Sequence, residues 1–64
     1  MKAIEQLELD AYRGEMSTDM HDLVERYRRI FCLDIPDIDQ RATDALIIAA
    51  MHTALDDIAK KLAV

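Results

Sequence analysis

Two histidines, a run of arginines, a ladder of acids and one thiol are the groups in this chain that could do chemistry. His21 with Glu25, and His52 with Asp56, stand four residues apart. On a helix that spacing puts two candidate metal ligands on one face. Asp19, Asp22 and Glu25 step by three, a pattern by which helices hold magnesium in phosphohydrolases. Arg26-Tyr27-Arg28-Arg29 is the one basic cluster, and arginine forks match phosphate geometry. Cys32 is the single thiol, with no histidine near it in sequence.

Each group also has a plainer explanation. Helical metal sites draw on several inward carboxylates with a Glu-x-x-His pattern, and both histidine pairs lie off the main apolar faces. Acids in the first turn of a helix favour its positive dipole end. Asp22 and Glu25 stand four residues before Arg26 and Arg29, so the basic cluster reads better as a neutralised, solvated face, dispensable for folding, with Tyr27 in the core. We therefore assign no catalytic residue, metal or cofactor from the sequence. A metal-dependent all-α phosphohydrolase ranks third among the readings.

The elements that must position these groups are helical. One Gly, one Pro and abundant Ala, Leu, Ile, Asp and Arg exclude a sheet-rich fold. A short first helix is expected over Lys2–Arg13, with Ala3, Ile4, Leu7 and Ala11 on one face and Gly14 as its stop. Ser17 or Thr18 is expected to cap a second helix over 18–32. Its apolar face is Met20, Leu23, Val24, Tyr27, Ile30 and Phe31. Pro36 breaks the chain between 33 and 37. A third helix is expected over Ile38–Leu62, opened by the cap-like motif Asp37-Ile38-Asp39-Gln40. The expected fold is all-α, one domain over 1–64: a short N-terminal helix, then an antiparallel helical hairpin.

The third helix sets the expectation of assembly. From Ala45 to Leu55 it carries no charge, so it is apolar all round for about two turns. Ile47, Ile48, Met51, Ala54, Leu55, Ile58 and Leu62 form a broad seam for helix two. Ala42, Leu46, Ala49 and Thr53 form a narrower second one with mostly small side chains, for another subunit or for helix one, and with Ala50 they make the expected oligomer interface. A 64-residue chain buries only roughly 60% of its unfolded surface and needs some further support. With one cysteine that support is not an internal disulfide, which leaves a homo-oligomer, most simply a two-fold dimer centred on the third helix.

Charge bounds the partners. A net charge of −5 repels duplex nucleic acid and suits a basic protein surface. The uncharged run is too short to span a bilayer. A lone thiol, and an N-terminus with no apolar signal region, lead us to expect a cytoplasmic protein that is not membrane-bound. The leading expectation is a small acidic, non-enzymatic binding or inhibitory module that engages a macromolecular partner.

Tyr12-Arg13, the later Ile38-Asp39-Gln40-Arg41 and the Ala-rich closing helix resemble the small helical-hairpin family of phage cyclic-nucleotide sponges. Those proteins oligomerise and sequester the second messengers of bacterial anti-phage signalling. The resemblance implies that Tyr12 stacks on a base and that the ligand is a cyclic nucleotide held at subunit interfaces. The family's basic contact, a lysine, has no match in position, and Arg26 is the nearest candidate. With the arginines of the basic cluster, the candidate ligand residues are Tyr12, Arg13, Arg26 and Arg29. The spacing between the two motifs is shorter here by about two helical turns.

Overall fold

The computed structural model describes residues 3–64. It contains two helices, α1 (Ile4–Asp34) and α2 (Gln40–Leu62), joined by a five-residue turn into an antiparallel hairpin.

The separate N-terminal helix is not there. α1 runs through Gly14 without a break, and no glycine takes a positive φ. The expected start at Lys2 lies outside the described residues. Thr18, expected as a cap, sits inside the helix with its hydroxyl donating to the Gly14 carbonyl at 3.1 Å. The physical reason is a balance of small terms. A glycine inside a helix costs about 1 kcal/mol relative to alanine. Breaking the helix would strand four carbonyls and four amides, with only Ser17 and Thr18 to satisfy them. Glu15 and Met16 are good helix formers, so the chain passes through.

The other end of α1 stops where proline dictates. Ile35 is pushed to φ −120°, ψ 110°, and its N–H closes the helix on the Phe31 carbonyl at 3.0 Å. Asp37 takes φ 55°, a left-handed conformation that Asp tolerates better than most residues. The cap of α2 is Asp39, whose side chain accepts from the Ala42 N–H at 3.1 Å. The motif Asp37-Ile38-Asp39-Gln40 is thus shifted by two residues from its expected role, and α2 starts at Gln40 rather than Ile38. Lys60 and Lys61 lie in the last turn of α2, where cations oppose the helix dipole.

Continuity of α1 aligns apolar residues that a break would separate. Leu9, Met16, Leu23 and Ile30 recur every seven residues, with Met20 and Tyr27 four residues on from Met16 and Leu23. They form one stripe about 30 Å long, with the 3–4 spacing of a coiled-coil seam.

α2 covers only one edge of that stripe. Val24, Arg28 and Phe31 are half-buried against it, while Leu23, Tyr27 and Ile30 remain exposed. Tyr27, expected in the core, is thus a rim residue. On α2, Ile47 is the one buried apolar side chain among the described residues, with Thr43 buried beside it. Two touching helices, with axes 8–10 Å apart, make a layer about 15 Å across at the Cα atoms. The hairpin measures 52 × 27 × 15 Å, so its helices diverge away from the turn. Ile58 and Leu62, assigned to the broad seam, are accordingly 50% and 81% exposed.

Helix continuity makes Gly14→Ala a direct test. A Cβ at Gly14 meets nothing within 4 Å. The substitution is expected to raise stability by about 0.5–1 kcal/mol, read as an upward shift in the urea midpoint at fixed protein concentration. A helix stop at this residue would give the opposite sign.

Candidate functional site

The polar groups that meet across the hairpin gather at its turn end. Arg28 is the centre. Its Nε donates to Oδ1 of Asp44 on α2 at 2.8 Å, and its Nη1 donates to Oε1 of Glu25 at 2.6 Å. Gln40 Nε2 donates to the same Asp44 oxygen at 2.7 Å. Glu25 therefore pairs three residues on with Arg28, not four residues on with Arg29. The hydrogen bonds from Gln40 and then Arg28 hold the Asp44 carboxyl below its ordinary pKa, and partial desolvation opposes them. Glu25 and then Asp44 raise that of Arg28. Arg28, expected to be a dispensable member of a solvated cluster, instead ties the two helices together.

The rest of the basic cluster is unengaged by acids. Arg26 lies 5.7 Å from the centroid of its neighbour Tyr27. Neither Arg26 nor Arg29 has a carboxylate partner among the described residues. Arg13 donates to Asp10 at 3.3 Å, and Tyr12 beside it is exposed. All four candidate ligand residues are on α1, and the axial rise from Arg13 to Arg26 is about 20 Å. The structure does not bring Tyr12 and Arg13 to Arg26 and Arg29 within one chain.

The acids and histidines do not converge either. Among the described residues no group of three or more His, Cys, Asp or Glu is placed to hold an ion. Cys32 is free and exposed. No described helix is long and apolar enough to cross a membrane.

A prominent concave feature is apolar. A groove of about 400 Å³ runs along one flank of the hairpin, between Leu23, Tyr27 and Phe31 of α1 and Leu46, Ile47, Ala50, Met51 and Ala54 of α2. The other flank has a shallower depression of about 90 Å³ between Met20, Val24, Ile48, Met51, His52 and Leu55. Of the residues assigned to a subunit interface, Leu46 and Ala50 border the large groove, and Leu46 is 68% exposed. Ala42, Ala49 and Thr53 are also exposed, and the Thr53 hydroxyl donates to the Ala49 carbonyl at 3.2 Å.

Sequence reasoning missed Arg28–Asp44 and the burial of Thr43. The Gln40–Asp44 spacing was visible as a helix pair. The link to Arg28 required the register of the hairpin, which the turn sets. No protein-family model matches the chain, and no curated protein or solved structure is found to be similar to it.

The depressed pKa of Asp44 fixes the sign of a pH effect. Its contribution to stability is fully present above the ordinary carboxylate pKa and is lost as pH falls through the folded value. Thermal melts followed by circular dichroism should show stability declining as pH falls from about 5 to about 3. In Asp44→Asn the starting stability should be lower and that decline shallower. An equal decline in both proteins would assign it to other carboxylates.

Proposed function

We propose that this chain is a small, acidic, non-enzymatic binding module that acts as a homo-oligomer and presents its charged exterior to a basic macromolecular partner. The observation that carries this reading is the apolar surface on both flanks of a hairpin whose buried apolar core is Ile47 alone among the described residues. A single side chain cannot offset the conformational entropy of ordering this chain, which is about 1–2 kcal/mol per residue for the backbone alone. Covering the grooves supplies the missing burial. Leu46 and Ala50 line the larger of those grooves and fall within that coverage. The net charge of −5 per copy then adds within the assembly, which strengthens attraction for a basic surface.

Sedimentation at micromolar concentration is expected to give a multiple of 7.3 kDa. Leu46→Glu should shift the mass toward one copy and reduce helicity, because desolvating a carboxylate there costs several kcal/mol. A 7.3 kDa species with full helicity would overturn the reading.

The second reading is a cyclic-nucleotide sponge. It is supported by the exposed ring of Tyr12 and by Arg26 and Arg29, which lack carboxylate partners among the described residues. With those groups far apart on one helix, the site belongs between subunits. Calorimetric titration with cyclic di- and trinucleotides tests it. Tyr12→Ala is expected to weaken binding by about 1–3 kcal/mol, the range for base stacking on an aromatic ring. Silence across the panel leaves the protein-binding reading.

A further inference from the structure

We infer that the second copy docks along the stripe of α1, antiparallel to it, with the two-fold axis crossing between His21 and Asp22. This rests on the homo-oligomeric reading and assigns it a partner face, a direction and a register.

The area asks for a partner of this size. A compact monomer of 7.3 kDa exposes about 4,200 Å². The chain exposes 5810 Å². If each of two copies lost the excess, the interface would total about 3,200 Å², within the range of obligate homodimers. The grooves beside α2 cannot supply that alone. The exposed part of the α1 stripe can, because it runs from Leu9 to Ile30 and joins the large groove at Leu23 and Tyr27.

The lengths of the helices point to the same arrangement. α1 has 31 residues and α2 has 23. Both start from one turn, so α1 overhangs by about 12 Å, with Ile4 and Leu7 exposed on the overhang. An antiparallel second copy sets each overhang beside the turn end of the other hairpin. Met16 of one copy then faces Tyr27 of the second, and Tyr12 lies level with Phe31, on the flank of the stripe turned away from α2.

Charge selects the direction. Two seam positions near the ends of the stripe are charged, Arg13 after Leu9 and Asp34 after Ile30. A parallel, in-register pair would set Arg13 on Arg13 and Asp34 on Asp34 inside the seam, which is repulsive at both ends. In the antiparallel pair Arg13 of one copy lies level with Ile30 of the other and Asp34 level with Leu9, so neither like-charge contact forms. That direction also brings Asp19 to within about 3 Å, along the axis, of the level of Arg26 of the second copy, twice by symmetry, on the flank of the stripe turned away from α2. At the axis Met20 packs on Leu23 of the second copy. No charge enters the central layers.

Spin labels at two exposed positions test this. One is the native Cys32, ten residues beyond the axis, and the other is Asp22→Cys in a Cys32→Ser background. In the antiparallel dimer the two Cys32 sites are about 31 Å apart along the helix axis, whereas the two Asp22 sites are nearly level. Pulsed dipolar spectroscopy on the full chain should therefore give a distance at least about 10 Å longer for Cys32 than for Asp22. Equal distances at the two sites, or the reverse order, would overturn the antiparallel register and leave the oligomer standing. No intermolecular distance, together with a one-copy mass, would overturn the homo-oligomeric reading itself. Reversing both flank charges gives an independent check. Asp19→Arg should raise the dimer dissociation constant at least about tenfold, and Asp19→Arg with Arg26→Asp should restore it. Failure of the second change to rescue the first would overturn the pairing.

Discussion

Two helices can bury each other only along a line. In this hairpin the line runs through Val24, Phe31, Thr43, Ile47 and Met51, and it is short because the helices part company beyond the turn. Most other features of the structure follow from that constraint. The long apolar stripe of α1 and the apolar girth of α2 exceed what one contact line can hide. They are left as two grooves on the flanks and a bare overhang. The surface composition of the single chain is thus a geometric result of having two helices and no third layer.

Polar interactions follow the same geometry. The cross-hairpin hydrogen bond, Arg28 to Asp44, lies near the turn, where the backbones are close enough for a guanidinium to reach. Gln40 completes it from the first turn of α2, just beyond the Asp39 cap. These groups are about one-third exposed, so water weakens each bond. They act within the register that the turn sets, and they hold together the residues it brings face to face, in the register that also places Ile47 in the seam.

The parts of this arrangement that were legible in the sequence are those fixed by strong local terms. Pro36 forbids a helix interior, and the break falls there. The long uncharged segment around Ile47 reads as a helix, and it is one. Gly14 misled because a glycine is only about 1 kcal/mol worse than alanine in a helix, so its neighbours decide. Splitting α1 at Gly14 also hid the seven-residue recurrence of Leu9, Met16, Leu23 and Ile30, which is visible only along an unbroken helix. Arg28 looked like one of three equivalent arginines, and nothing local distinguishes it. Its role comes from the partner across the turn. Tyr27 was placed in the core from its position on the wheel. A wheel gives direction and not the width of the neighbour, and a single helix opposite is too narrow to cover it.

The placement of Arg28 and Asp44 near the turn also grades the hairpin along its length. Joining residues 28 and 44 closes a short loop, and closure entropy rises with loop length. The next layers outward, Val24 with Ile48 and then Met20 with Leu55, close longer loops and gain less packing as the helices diverge. The loop-closure cost of each contact therefore rises from the turn toward the open end, while its packing falls. No cross-hairpin polar contact beyond Arg28 interrupts that gradient among the described residues. The open end is the part of the hairpin that its own chain holds least.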